Sequence, residues 1–500
     1  MSPPATAAVP LRCGAAVAAH DTRHAPGNTL APHGARVPRG ADAPPTRGRF
    51  GKMFPGLSHQ ALSEDTISAL LEVIDASASV GENSTIPAGF TYFGQFVDHD
   101  ITYDATPQSQ KLLDPHAATS FRTPRLDLDS LYGSGPRDQP FLYDSRPGKD
   151  EGVKLLVGAT RPWNGRATLP DLPRNDQRRA LIGDPRNDES IIIAQVHLLF
   201  IRFHNKVVDY LRAQCCGLSG TELFDEARRV VCWHYQWIVV HDLLRRYVGE
   251  ELLKSVLRAG ETFTSEEDVP FIPVEFSGAA YRFGHSMVRD SYNVNAGRRG
   301  VPIFAEEDNP SELAHLGGFR RLPRGLVIDW SFFFESTTRR PQSSLAIDTY
   351  LAAPLRELPV NVDAERNSLA LLNLRRASML DLPTGQAVAD AMDEPRLDAA
   401  QLRLDEVRIA SSELRGELLD ATPLWYYVLR EAAALTDGRR LGPVGGRIVA
   451  KTLVGLLLSD SQSYLAQDPG WRPELPGADG DFTMADLVRF TEGQTPAGVA

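Results

Sequence analysis

Several side chains able to move a proton lie close together in the segment GQFVDHD, which runs from Gly94 to Asp100. If this segment is helical, Gln95 and His99 stand one helical turn apart and share a face. A neutral imidazole at His99 could take a proton from a bound peroxide and return it to the leaving oxygen. On this segment alone, a hydrogen-bonded surface histidine is the simpler interpretation.

A second polar cluster, GDPRNDE, begins at Gly183 and leads straight into a predicted helix at Ser190. Its last acidic residues suit a helix N-terminus because they complement the helix dipole. Arg186 and Glu189 are spaced so that they can meet on one side of a helical turn. A guanidinium fixed beside a peroxide would stabilise the negative charge that develops as the O–O bond breaks.

The third cluster is YRFGHSM, from Tyr281 to Met287. A histidine next to a glycine and among aromatic residues can approach a planar cofactor and offer a ring nitrogen as an axial ligand. The alternative for His285 is a packed core histidine. A ligating histidine needs its other nitrogen oriented by a second group, and Asn373 in LLNLRR is a candidate.

Helical periodicity is common in the chain, and strand-like alternation is scarce. Helices are predicted over 190–212, over 221–247 with a Thr221 cap, and over 447–458 after a Gly445–Gly446 loop. His197 and His204 lie on the first of these helices and could ligate a group, but core packing is favoured. Proline-rich loops over 105–185 and 294–345 connect the helices. The pattern predicts a mainly α architecture in a single large domain over residues 50–500.

The composition is that of an ordinary globular protein, with 42% hydrophobic and 23% charged residues and a net charge of -11. This acidic balance argues against nucleic acid as a partner. Residues 1–49 form a basic leader that is rich in alanine, proline and glycine, and we expect it to be disordered. It has no continuous apolar core of a secretory signal, and no uncharged apolar run in the chain predicts a transmembrane segment. A cytoplasmic location is expected, with export by a non-classical route as the alternative.

The cysteines show neither a CxxC pair nor a zinc-site spacing. Cys215 and Cys216 are adjacent, which disfavours a disulfide framework, so buried structural thiols are expected. The full set is Cys13, Cys215, Cys216 and Cys232.

The order of the motifs carries more information than any one of them. GQFVDHD, then GDPRNDE opening a helix that contains HLLFIRFHN, then YRFGH, then NLRR, resembles the animal haem peroxidase (peroxidase–cyclooxygenase) superfamily in a bacterial-looking version. The resemblance extends from about Phe50 to the helix that ends near Ser459. It implies an animal haem peroxidase-like fold, a single helical domain around a buried haem b.

The resemblance also implies roles for the residues on one side of that haem. His99 would be the distal acid–base residue, Gln95 would position peroxide or a halide, and Arg186 would be the distal cation. Asp98 and Glu189 stand where the family's ester-forming carboxylates are found, so haem ester links through both are possible.

On the other side, His285 would be the proximal iron ligand, with Asn373 accepting the proton of its second nitrogen. Arg282 stands three residues before His285 and would also lie against the haem. The cyclooxygenase branch has its radical tyrosine at that position, whereas here Tyr281 is displaced by one residue.

A calcium site is implied as well. Asp100 matches the family's calcium ligand next to the distal histidine. Thr123, Asp127 and Asp129 would add side-chain oxygens and Arg125 its carbonyl, a donor set that suits a hard cation. Asp129 replaces the hydroxyl of mammalian members.

Two departures from the family pattern matter. Ser190 stands where myeloperoxidase has the methionine of a third haem link, so that link should be absent here. Residues 376–383 read RASMLDLP instead of RGRDHGLP.

Three functions remain open from the sequence. The first is an oxidoreductase that uses hydrogen peroxide to oxidise a small phenol, halide or pseudohalide. The second is a fatty-acid dioxygenase of the same superfamily, and the third is a non-catalytic haem-containing adhesion or scaffold protein. The sequence does not determine the oligomeric state.

Overall fold

The computed structural model describes most of the chain beyond the leader. The described residues are 48–57, 62–77, 81–103, 119–120, 122–148, 152–158, 171–214, 217–263, 270–305, 309, 311–358, 368–404, 412–475 and 481–493. Nearly all of the leader lies outside these ranges, as do Cys13, Cys215 and Cys216.

The regular part of the described chain is mainly helical, which confirms the predicted fold class. The α-helices are α1 Glu64–Asp75, α2 Gly89–Ile101, α3 Asp129–Tyr132, α4 Ile191–Gln214, α5 Gly220–Ile238, α6 Arg245–Val248, α7 Glu250–Ala259, α8 Val274–Gly278, α9 Ala353–Arg356, α10 Leu369–Met379, α11 Gly385–Ala391, α12 Ser412–Asp420, α13 Leu424–Thr436, α14 Pro443–Ser459, α15 Tyr464–Gln467 and α16 Met484–Glu492.

Helix α4 forms the centre of the core. It packs along α5 and is crossed by α2. The rings of Phe96 and Phe200 stack there with centroids 4.7 Å apart. Helix α4 is long and apolar enough to span a bilayer by length and composition, but 83% of its most apolar window is buried inside the protein. We therefore interpret α4 as the core helix of a globular domain.

The predicted helices are present, and two of their ends differ from the prediction. Helix α5 begins at Gly220 after Ser219, so the predicted Thr221 cap is wrong. Helix α14 begins at Pro443, whose fixed φ suits the first helical turn. Gly445 is thus helical and not part of a loop, and a glycine is needed there because a side chain would collide with Val428 of α13.

The second predicted helix is interrupted within its length. A π-helical turn, Val239–Leu244, links α5 to α6, and the run ends before Gly249 as predicted.

The strands are short and fasten loops to the helical core. They are β1 Gly48–Gly51, β2 Glu82–Pro87, β3 Thr119–Ser120, β4 Phe271–Pro273, β5 Ser291–Tyr292, β6 Val301–Pro302 and β7 Ser343–Leu345. Strand β1 lies between antiparallel β3 and parallel β4. The pairs β2–β7 and β5–β6 are antiparallel.

Short 3-10 helices occur in the irregular segments, and two of them carry site residues. They are Pro140–Leu142, Pro185–Asp188, Ala280–His285, Arg324–Leu326 and Trp330–Phe332. The turn Pro185–Asp188 starts where the Asp184 side chain accepts from the backbone N–H of Arg186 at 2.9 Å. This cap fixes the entry into α4.

His197, His204 and Cys232 are buried, as predicted for core residues. His204 bonds to Tyr132 and to the carbonyl of Val153.

Candidate active site

A cavity of about 990 Å³ opens between α2, the start of α4 and the turn Ala280–His285. Seven of the eight residues predicted around the haem line it: Gln95, Asp98, His99, Arg186, Glu189, Arg282 and His285. Asn373 lies behind His285 on α10. The fold therefore brings the predicted distal and proximal groups to one space.

His99 is buried at the cavity wall, on the last turn of α2. Its Nδ1 lies 2.8 Å from Oδ1 of Asn187, and Nε2 has no hydrogen-bond partner among the described residues. Burial, together with the nearby Arg186 charge, lowers the pKa of His99 to about 4. The imidazole is thus neutral near pH 7 and able to accept a proton.

Arg186 is held in place by an acid and by the end of α2. Its Nη2 donates to Oδ2 of Asp184 at 2.8 Å and to the carbonyl of His99 at 3.1 Å. The guanidinium also lies over the Tyr103 ring, 4.6 Å from its centroid. Its hydrogen bonds do not go to Glu189, although the i, i+3 spacing allowed such a contact. Nη1 makes no hydrogen bond to the described residues and remains available to a ligand.

Glu189 and Asp98 both line the cavity. Oε1 of Glu189 accepts from the amide of Gln95, which joins α2 to the segment just before α4. Desolvation raises the pKa of Glu189 to about 7. Oδ1 of Asp98 accepts from the Thr102 hydroxyl at 3.1 Å. Ser190 also lines the cavity, beside Glu189.

His285 lines the same cavity, and Asn373 contacts its Nδ1 at 3.0 Å. The amide nitrogen of Asn373 makes this contact, whereas its Oδ1 accepts from Arg376 at 3.1 Å. Acceptance of the His285 proton by Asn373 therefore requires the amide to turn over, which exchanges its oxygen and nitrogen. Burial and the charges of Arg282 and Arg376 lower the pKa of His285 to about 3, so a neutral ring is available as a ligand.

The predicted cation loop packs against the end of α2. Carboxylate oxygens of Asp100, Asp127 and Asp129 lie within 4.8 Å of one another. Burial raises the pKa of Asp100, and its neighbours Asp129 and Asp127 raise it further. Leu128 has φ 57°, a strained left-handed conformation for a branched residue, between the two loop carboxylates. Buried carboxylates this close require a cation or protons, and oxygen donors suit calcium.

The other two predicted calcium ligands, Thr123 and Arg125, differ in how close they lie to the three carboxylates. The Thr123 hydroxyl donates to Asp127 at 3.1 Å, so it lies at the cluster. The Arg125 side chain points to Asp460, with Nε and Oδ1 3.8 Å apart. The contribution of the Arg125 carbonyl stays a prediction.

Sequence reasoning missed the residues that hold these groups. Arg122 donates to Oδ1 of Asp129 at 3.2 Å and to Oδ2 of Asp184 at 3.1 Å, and so links the cation loop to the partner of Arg186. The position of Asp184 within GDPRNDE was a usable signal, because an acid just before a proline often caps a helical turn. Arg122 gave no such signal.

The chain is similar to several known proteins. A family model described as animal haem peroxidase matches residues 105–331. Human thyroid peroxidase is 27% identical over 340 residues, which cover 63% of this chain and 34% of that protein. Mouse eosinophil peroxidase is 28% identical over 305 residues, covering 56% of this chain and 40% of that protein.

Solved structures show the same fold. Peroxidase A from Dictyostelium discoideum superposes with a TM-score of 0.56 at 14% identity, covering 89% of this chain and 92% of that one. A fatty acid alpha-dioxygenase from Oryza sativa has a TM-score of 0.52 at 15% identity, covering 82% and 73%. The chain therefore matches the animal haem peroxidase family over residues 105–331, and its fold is mainly α, like that of these structures. It matches only about a third of the length of human thyroid peroxidase.

The residues present fit a haem. The cavity is lined by two neutral histidines, His99 and His285, and Asn373 contacts Nδ1 of His285. Arg282 and Arg376 line the cavity and supply positive charge for the carboxylates that a haem carries.

Proposed function

We propose that this protein is a haem-dependent peroxidase that reduces hydrogen peroxide and oxidises a small phenol, halide or pseudohalide. The observation that supports it most is the cavity that His99 and Arg186 share with His285. A non-catalytic adhesion or scaffold protein would have no need for all of these groups.

Each residue has a definite task in this proposal. His285 would hold the iron through Nε2, and the haem would supply the redox chemistry. Nε2 of His99 would take the proton of peroxide and later return it to the departing oxygen. Nη1 of Arg186 would stabilise negative charge on that oxygen, and Asp184 keeps the guanidinium at its place.

Gln95, Asp98 and Glu189 would shape the same side of the pocket. Gln95 is fixed by its bond to Glu189 and can help position peroxide or a halide. We also propose that the carboxylates of Asp98 and Glu189 lie at the haem edge, where ester links to haem methyl groups would form during peroxide turnover. Calcium at Asp100, Asp127 and Asp129 would hold the end of α2, and with it His99.

The test is peroxide-driven oxidation of a phenolic dye by the haem-loaded protein. Substitution His99→Ala is expected to lower the rate by about 100-fold or more, in the range of general acid–base catalysis. A wild-type protein with haem but without dye oxidation, or an unchanged rate in His99→Ala, would overturn the proposal.

One observation favours a second candidate, a fatty-acid dioxygenase. Tyr281 lines the cavity, where apolar side chains of Leu358, Leu369 and Leu372 extend the wall. However, the Tyr281 hydroxyl donates to the carbonyl of Gly94 at 3.1 Å, which engages its proton away from a substrate. Oxygen uptake on addition of a long-chain fatty acid, abolished by Tyr281→Phe, would favour the dioxygenase over the peroxidase.

A further inference from the structure

Asn187 lies between two buried histidines, one at the cavity and one in the core. Its Oδ1 is 2.8 Å from Nδ1 of His99, and its Nδ2 is 3.0 Å from Nδ1 of His197. Asn187 and His197 are both fully buried. None of these contacts was apparent from the sequence, where Asn187 is one polar residue in a polar loop.

The chemistry of the Asn187 amide determines which atom donates in its hydrogen bond to His99. The oxygen of Asn187 can only accept, so His99 must donate from Nδ1 and carries its proton there. Nε2 of His99 is then the unprotonated nitrogen. On a cavity-lining ring, this is the nitrogen with the lone pair needed to accept a proton from a ligand.

His197 determines which way the amide points. The amide nitrogen of Asn187 can only donate, so Nδ1 of His197 accepts and its proton is on Nε2. With the two rings in these tautomers, turning the amide over would place its NH₂ group against Nδ1–H of His99 and its oxygen against a lone pair of His197, and both hydrogen bonds would be lost. Burial lowers the pKa of His197 to about 3, which keeps this ring neutral; the contact from the amide nitrogen of Asn187 then assigns the lone pair to Nδ1.

The position of His197 in the core destabilises the fold in a way that an apolar residue would avoid. Nε2 of His197 is buried and has no hydrogen-bond partner among the described residues. A buried polar group without a partner destabilises the fold, and an apolar side chain on this core helix would avoid that penalty. The other nitrogen of His197, Nδ1, makes the contact with Asn187 that an apolar side chain could not make.

We propose that Asn187, oriented by His197, is the positioning residue that keeps His99 in the tautomer with its lone pair on Nε2, facing the cavity. This inference rests on the proposed function, because it assigns His99 as the distal base. Asn187 itself need not touch peroxide or haem.

Cyanide binding to the ferric, haem-loaded protein tests the tautomer without turnover. Hydrogen cyanide must give up its proton as it binds, so its binding rate depends on a correctly placed distal base. The rate is followed by stopped-flow absorbance at the Soret band, in parallel with the rate of reaction with hydrogen peroxide.

Three variants and one control make the measurement specific. Asn187→Leu removes the acceptor but keeps the branched shape of the side chain, whereas Asn187→Asp keeps an acceptor. His197→Phe removes the group that orients the amide. His204→Phe is the control, because His204 is equally buried on the same helix but bonds to Tyr132 and Val153.

We expect Asn187→Leu to lower both rates by at least about 10-fold, and His197→Phe to lower them by a smaller factor. Asn187→Asp should retain rates near wild type, and His204→Phe should leave both unchanged at equal haem content. Unchanged rates in Asn187→Leu would overturn the inference. Equal losses in Asn187→Asp and Asn187→Leu would overturn it too, because they would indicate general damage.

The two proposals fail in different ways. If wild-type protein binds cyanide rapidly and this depends on Asn187, but no peroxide reaction occurs, the peroxidase proposal is wrong and the positioning role stands. If peroxide reacts rapidly in both wild type and Asn187→Leu, the positioning role is wrong and the peroxidase proposal stands.

Discussion

We predict that removal of calcium destabilises the folded protein, and the acidic cluster sets the size of the effect. The carboxylate oxygens of Asp100, Asp127 and Asp129 lie within 4.8 Å of one another. At an effective dielectric constant of about 20, each pair of charges at this distance repels by about 3.5 kcal/mol, or about 10 kcal/mol for the cluster. Arg122, 3.2 Å from Asp129, offsets about 5 kcal/mol of this.

The net repulsion that remains among the three carboxylates, about 5 kcal/mol, is an upper value. Asp127 is half-buried, and the cluster can take up protons. The net repulsion is still comparable to the whole stability of many domains. For a chain of 500 residues, the unfolding entropy is about 1 kcal/mol per degree, so the melting temperature should fall by roughly 3–5 °C.

The assay is thermal unfolding at about pH 7.5 in excess calcium and in excess EGTA. The decisive variant is Asp127→Asn, which keeps an oxygen that can accept from Thr123 and from the backbone N–H of Asp129 but removes two of the repulsive pairs. It should melt above wild type in EGTA and below wild type in calcium.

Asp437→Asn serves as the control, because Asp437 is 80% exposed and its ion pair with Arg439 is remote from the cluster in sequence. It should leave the difference between calcium and EGTA unchanged. The reasoning is refuted if EGTA has no effect on the wild type, or if Asp127→Asn lowers the melting temperature equally in both conditions.

Three further predictions follow from other parts of the structure. Asp98→Asn and Glu189→Gln should each retain haem but release more of it into acidified organic solvent after peroxide turnover; extraction equal to wild type in both would argue against ester links. Arg174→Met should lower the free energy of unfolding in urea by about 3–5 kcal/mol, because it leaves the carboxylate of Asp188 buried without its two-point partner at 2.7 Å. The double variant with Asp188→Leu should regain most of the loss, and no recovery would contradict this explanation. Stability should fall as the pH drops from about 6.5 towards 4, since buried His234 has its pKa lowered to about 3 and takes up a proton only on unfolding; His234→Gln should weaken this dependence, and an unchanged pH profile would contradict it.

Local patterns in the sequence were sufficient to predict the helical architecture, whereas the order of the motifs and the resemblance it carries predicted which residues share the cavity. The i, i+4 spacing of Gln95 and His99 placed both on the cavity side of α2, because helical periodicity dictates which residues share a face. The same reasoning placed α4 and its buried histidines. Their assignment to a catalytic role depended on the order of several motifs.

The partners of these residues were not predictable in the same way. Arg186 bonds to Asp184 and to the carbonyl of His99, and nothing in its spacing to Glu189 indicated this choice. Arg122 bridges residues that are 7 and 62 positions away in the chain. Such pairs depend on how loops fold over one another, and loops carry no periodic signal.

The start of α14 at Pro443 is a case in which a local sequence pattern gave a wrong prediction, the Gly445–Gly446 loop. Adjacent glycines usually mark a loop, but here Gly445 lies within α14, and it is a glycine because the close approach of α13 leaves no room for a side chain. Tertiary packing overrode the local preference at this point.

The central claim is that haem lies between His99 and His285, with His99 as the base that peroxide meets. The most direct test is the optical spectrum of the ferric haem-loaded protein before and after rapid mixing with hydrogen peroxide, for wild type and His99→Ala. The account predicts the same haem content in both proteins, a rapid change of the Soret band in wild type, and a change slowed by about 100-fold or more in His99→Ala. Equally rapid changes in the two proteins, or no change in wild type, would contradict it.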